Sequence, residues 1–201
     1  MLSLFNLAVA ANKANVGMPM RLFLIMLSAV LVGCIAKPRG VYYEPSHPLG
    51  VASSNTCDAN SNKIKIEIPL EEGVLLNASL QSDIEGSYNL LIHFEIAENK
   101  IVELQSDKIS VSSSNSETKT YQVDEWKDNV LVGGKVIQSY QGMNFEYDKS
   151  FGGKFSIGEL SENWLKISIP EFVASGSHIK LKPIEFKRVP GNVQWLPKLN
   201  C

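Results

Sequence analysis

An antiparallel, all-β sandwich of immunoglobulin-like or transthyretin-like type is the fold this sequence predicts. Apolar and polar residues alternate with period two from Lys63 onward, as they do in strands buried on one face. The alternating runs are short and joined by Gly-rich turns, which favours hairpins over crossovers. Only brief helical stretches fit, one of them near Ile157 to Asn163.

The first run covers Lys63 to Leu70, where Ile64, Ile66, Ile68 and Leu70 share a face opposite Lys63, Lys65 and Glu67. Glu71-Glu72-Gly73 then turns the chain into a second strand, Val74 to Leu80. Tyr88 to Ile96 sends Tyr88, Leu90, Ile92, Phe94 and Ile96 inward, against Asn89, Leu91, His93 and Glu95. A turn at Ala97 to Lys100 leads into Ile101 to Gln105. Lys108 to Ser112 and Thr118 to Val123 flank a Ser/Asn-rich stretch that reads as an exposed loop. Val130 to Val132 and Lys135 to Ile137 read as a hairpin across Gly133-Gly134, because Gly accepts positive φ. Phe151-Gly152-Gly153-Lys154-Phe155 repeats the device. Trp164 to Ile169 and His178 to Arg188 supply the late strands. In the last of these, Ile179 and Leu181 differ in parity from Ile184 and Phe186, so Pro183 marks a bulge or an edge.

A chain of 201 residues with formal net charge −2 fits one domain and offers no basic surface for nucleic acid. Its composition is uneven: 23 of the first 33 residues are apolar and none is acidic. Arg21 precedes Leu22 to Gly33, an uncharged run well short of the roughly 20 residues that span a membrane. A basic residue before a short apolar run, closed by small residues, is the plan of a secretory signal. Leu31-Val32-Gly33-Cys34 ends that run and resembles the lipobox of bacterial lipoproteins. The resemblance implies cleavage before Cys34 and a diacylglycerol on its thiol, with two or more acyl chains giving durable anchoring. Ile35, not Asp, follows the Cys, which in diderm lipoproteins implies the outer membrane, with the domain facing the periplasm.

On this reading residues 1–33 are the signal, and Met18 or Met20 is a better-proportioned start than Met1. Residues 34–62, with Pro38, Pro45 and Pro48 and little periodicity, read as a lipid-anchored linker, and 63–201 as the sandwich. Tyr42-Tyr43 in the linker either packs back on the domain, meets lipid headgroups or forms an adhesive patch. With Cys34 lipidated, Cys57 and Cys201 remain, and an exported pair closes a disulfide that staples the domain's ends.

Motifs of catalysis are missing from the sequence. Gly153 to Gly158 has the wrong spacing for a G-x-S-x-G elbow, and Gly133-Gly134-Lys135 lacks the rest of a phosphate loop. His47, His93 and His178 stand apart, without zinc spacing, so neither metal nor cofactor is expected. Glu71-Glu72 and Asp124-Glu125 are adjacent carboxylates, which point apart on an extended chain, unlike a glycosidase pair. Asn77-Ala78-Ser79 matches a glycosylation sequon, which a bacterial anchor makes uninformative.

Two features point to binding. Trp164 shares a strand face with Lys166 and Ser168, opposite Leu165, Ile167 and Ile169. That phase presents the indole near solvent, as an anchor for a partner or sugar, or as a cap on the core at a strand end. Lys180, Lys182, Lys187 and Arg188 make the last strand locally basic, either to meet phosphates or an acidic protein or to guard an edge. Trp126 and Trp195 read as packing residues. The expected function is a non-enzymatic interaction or assembly module of the cell envelope, held to the membrane by its lipid and working on a protein partner. An inhibitor or immunity-type lipoprotein, and a hydrolase whose site no motif marks, are the alternatives.

Overall fold

The computed structural model describes residues 40–54, 62–83, 86–115 and 117–191, with the backbone of two terminal strands at 35–38 and 193–196. In chain order the strands are β1 (Ile35–Pro38), β2 (Val41–Ser46), β3 (Val51–Ser53), β4 (Lys65–Glu71), β5 (Val74–Ser82) and β6 (Tyr88–Ile96). There follow β7 (Ile101–Leu104), β8 (Lys108–Ser113), β9 (Lys119–Gln122), β10 (Val130–Val132), β11 (Lys135–Tyr140) and β12 (Met143–Gly158). The last are β13 (Trp164–Ser168), β14 (Phe172–Ala174), β15 (Ser177–Ile179), β16 (Ile184–Pro190) and β17 (Val193–Leu196). Their pairings are antiparallel, so the chain is the all-β, sandwich-like domain that the alternation predicts.

Three sheets build it: a six-stranded sheet in the order β11-β12-β6-β5-β4-β3, a five-stranded sheet β2-β16-β13-β8-β9, and a four-stranded sheet β10-β7-β14-β15. Strands β1 and β17 form a separate ladder, with Ile35 opposite Leu196. At the centre of the large sheet, β6 alternates buried and half-buried residues along its whole length. Its inward side chains share one core with Ile109, Val111, Leu165, Ile167, Ile184 and Phe186 of the five-stranded sheet. Val102, Leu104, Phe172 and Ala174 of the four-stranded sheet join the same core. Phe94 lies where the layers meet, its ring 5.4 Å from Phe172 and 5.3 Å from Trp126 between centroids. Each such buried aromatic removes well over 100 Å² from water, which is why three thin sheets hold as one body.

The domain begins earlier than residue 63. Strand β2 pairs with β16 and β3 with β4, so much of the stretch read as linker, 34–62, is folded into the sandwich. Tyr43 is 1% exposed, stacks edge-on against Tyr88 at 5.2 Å and donates from its hydroxyl to the Glu162 carbonyl at 2.8 Å. Pro45 is tolerated there because β2 is an edge strand, where a missing N–H breaks no ladder.

Both Gly-Gly pairs do work other than turning hairpins. Strand β10 pairs with β7 and β11 with β12, so no hairpin closes across Gly133-Gly134. A Cβ at Gly133 would stand 2.0 Å from the Ala97 carbonyl oxygen, and one at Gly152 would stand 2.0 Å from that of Ile92. These glycines let two backbones touch. Phe151 to Phe155 runs straight through the 16-residue β12, and the actual hairpin turns at Gln141-Gly142.

The segment read as one strand, His178 to Arg188, divides. Strand β15 ends at Ile179 in the four-stranded sheet and β16 starts at Ile184 in the five-stranded sheet, so Pro183 marks a change of sheet and not a bulge. The stretch Ile157 to Asn163 forms no helix: β12 ends there in a register shift between Ser156 and Gly158, followed by loop. A 3-10 turn at Asp124–Trp126 instead caps the part of β12 that β11 leaves bare. Glu125 accepts the Gly152 N–H at 2.6 Å and the Trp126 indole donates to the Phe151 carbonyl at 3.1 Å. Cys34, Cys57 and Cys201 lie outside the described residues, as does the side chain of Trp195.

Candidate functional site

Alternation along β13 sends Leu165 and Ile167 into the core and Trp164 and Lys166 outward, in the predicted phase. Pairing then extends two rows across the outer face of the five-stranded sheet. Trp164 stands opposite Lys187, and Lys187 opposite Glu44; Lys166 stands opposite Glu185, and Glu185 opposite Ser46. The Lys166 ammonium lies 3.0 Å from the Glu185 carboxylate and 5.1 Å from the centroid of the Trp164 ring. It therefore ties the indole to the charged row by a cation–π contact. The Lys166 hydrogen bond also holds the Glu185 carboxyl below its ordinary pKa, so the pair stays charged at neutral pH.

Two shallow clefts flank this pair and share it as a common wall. One, about 440 Å³, lies between Ser46-His47-Pro48 and Lys182-Pro183. The other, about 360 Å³, is walled by Asn163, Trp164, Lys187 and Arg188. His47 holds the first cleft's wall: its Nε2 donates to the Lys182 carbonyl at 3.1 Å, and its Nδ1 accepts the Leu49 N–H at 3.2 Å. Burial is the main cause that lowers its pKa, opposed by the bond to the Lys182 carbonyl. With both ring nitrogens engaged, this imidazole has no lone pair to spare for a general base.

Of the residues predicted to bind, Trp164 and Lys182 come to the same face, one in each cleft. Lys180 does not join them. It pairs with Glu171, whose hydrogen bond raises the lysine pKa, and neither Lys180 nor Lys182 sits in a strand. Lys166, Glu185 and His47 were not marked as site residues by the sequence. Their rows depend on which strands pair and in what register, and side-chain alternation carries no record of that.

The outer face of the six-stranded sheet holds a second polar group. Glu95 accepts from Asn77 Nδ2 at 2.8 Å and lies 3.1 Å from His93 Nε2. Asn77 is 1% exposed, so the Asn77-Ala78-Ser79 sequon presents no side chain to a glycosylating enzyme. Trp126, fully buried, is the packing residue the sequence predicts. Among the described residues no three His, Cys, Asp or Glu side chains gather in metal-binding geometry.

No protein-family model, curated protein or solved structure matches this chain. The site's chemistry therefore rests on its own geometry. A flat indole beside fixed charges of both signs, with Lys182, Lys187 and Arg188 at the margins, suits recognition of an extended ligand.

Proposed function

We propose that this chain is a lipid-anchored envelope protein that acts as a non-catalytic interaction module, docking a protein partner on the outer face of its five-stranded sheet. One observation carries the docking face: Trp164 is held half-exposed on a regular strand, with Lys166 fixed against its ring. Rigid aromatic residues flanked by polar groups supply most of the energy at protein interfaces, because they bury a large area at little cost in side-chain entropy. The neighbouring Lys187, Arg188 and Lys182 favour an acidic partner surface. Anchoring rests on the lipobox resemblance at Leu31 to Cys34, and Ile35 after the Cys favours the outer membrane, with the domain in the periplasm.

Amine-directed crosslinking in intact cells, followed by identification of what is joined to this chain, tests the proposal. A defined envelope protein is expected, and Trp164→Ala should lower its recovery about tenfold or more, the scale of an interface hot spot. Unchanged recovery would remove this face from the proposal. Cys34→Ala should abolish acyl labelling and release the chain from membranes; retention on the membrane would remove the anchor.

A further inference from the structure

The β2–β16 ladder does not stop where the sandwich ends. Beyond Val41 and Pro190 come two residues on each strand, and then Pro38 stands opposite Val193 and Ile35 opposite Leu196. Equal spacing on both strands keeps β1–β17 in the register of β2–β16. Between the two ladders the Gly191 N–H donates to the Gly40 carbonyl at 2.8 Å. A two-stranded ribbon is marginal on its own, but this one continues a pairing already fixed in a five-stranded sheet, so no new loop has to close. Ile35, Val193 and Trp195 are residue types that favour extended backbone. Pro38 is tolerated because both strands of the ribbon have an open edge among the described residues.

Two contacts give its direction. Tyr43 of β2 stacks on Tyr88, at the start of β6. Gly50, just past β2, lies against Ile66 and Ile68, whose cross-strand rows run through Ala78 to Ile92 and through Leu76 to Phe94. Strand β2 therefore advances in the same sense as β6, and the ribbon leaves from the end of the sandwich that holds Ser82 and Tyr88. The other end holds the turn after Ile96. Beyond it β11 and the first residues of β12 project as an arm that turns at Gln141-Gly142.

Ile35 is the outermost residue of β1, and Cys34 is the next in the sequence. We infer that the ribbon is a stalk: with the lipid on Cys34 proposed above, on which this reading depends, it stands the sandwich end-on to the bilayer. The Ser82–Tyr88 end faces the lipid and the arm points away from it. Counted along the strand, Val41 lies up to about 23 Å from Cys34, and Glu44, in the row of Trp164 and Lys187, up to about 33 Å. A flexible coil of the same length would let the domain tumble and lie on either face. A paired ribbon instead turns the Trp164 face sideways at one height, so orientational freedom is given up before any partner binds. That arrangement fits a protein whose acidic surface stands about 30 Å from the same bilayer, not one pressed against the headgroups.

Energy transfer to acceptor-labelled headgroups, measured with the full chain purified from bacteria and placed in phospholipid vesicles, tests this. An azido amino acid at Ser82 or at Glu98, both exposed and at opposite ends of the large sheet, carries the donor dye. Transfer from position 82 should exceed that from position 98 at least about twofold, since about 30 Å separates the two levels. A Gly/Ser insert of about 20 residues after Ile35 frees the stalk from the lipid and should bring the ratio close to one. Equal transfer from the two positions, the reverse order, or a ratio that survives the insert would each overturn the stalk and leave the anchor standing. A purified chain whose mass shows no acyl group and which stays off the vesicles would overturn the anchor and the stalk together.

Discussion

At Gly133 and Gly134 two identical neighbours have unequal roles. A Cβ on Gly133 would collide with the Ala97 carbonyl oxygen, whereas nothing lies within 4 Å of one on Gly134. Gly133→Ala should therefore cost about 2 kcal/mol or more in urea unfolding, and Gly134→Ala should fall within about 0.5 kcal/mol of the parent. Tyr43 makes a similar point about polar burial. Its phenol pKa is pushed up to about 12, by burial first, so it stays protonated and donates to the Glu162 carbonyl. Tyr43→Phe should lose about 1 kcal/mol, read by the same unfolding measurement. His47 sets a pH dependence. Its folded pKa is held below the ordinary 6.5, so the unfolded chain takes up the proton more readily. Stability is then complete above that value and falls as the pH drops through the window beneath it. Melting at about pH 7.5 and about pH 5.5 should show this loss, and His47→Gln should make the difference smaller. An equal difference in the variant would assign the pH dependence elsewhere.

Strand β12 shows how one element can serve two environments. Its C-terminal part lies along β6, and there Phe151 packs against the core while Gly152 allows close approach to Ile92. Its N-terminal part leaves the sheet with β11 and stays exposed on both faces. Between them the 3-10 turn at Asp124–Trp126 closes the bare edge through one side-chain bond each from Glu125 and Trp126. Trp126→Ala should remove about 3–5 kcal/mol, because it empties a fully buried site beside Phe94. Denaturant unfolding measures that loss, and a cost under about 1 kcal/mol would mean the edge is held by other means. The turn was not legible from the sequence. Asp124-Glu125 reads as two adjacent carboxylates that point apart until Gly152 is placed beside Glu125. The arm, in contrast, left a signal: apolar residues alternate on both sides of Gln141-Gly142, but that dipeptide lacks the Asn or Asp that usually marks such a turn.

For the whole molecule, the boundary at residue 63 has a direct consequence. A chain that starts at Lys63 lacks β2 and β3, leaves β16 as an open edge and removes Tyr43 from beside Tyr88. It should fail to give a cooperative thermal transition, while a chain that starts at Gly40 should retain one; circular dichroism during heating separates the two. The sequence by itself determined which residues are inside. Tyr88 to Ile96 and Trp164 to Ser168 keep their predicted faces because a half-buried strand has a period of two, whatever it pairs with. It also determined the class of fold, since many short alternating runs have few other ways to bury their apolar sides. Tertiary structure alone decided the neighbours. It placed Lys166 beside Glu185 and Trp164, drew Val41–Ser46 out of the presumed linker into a sheet, and moved the chain between sheets at Pro183. The reason is physical: alternation says which way a side chain points, while register and partner come from contacts between residues far apart in the chain.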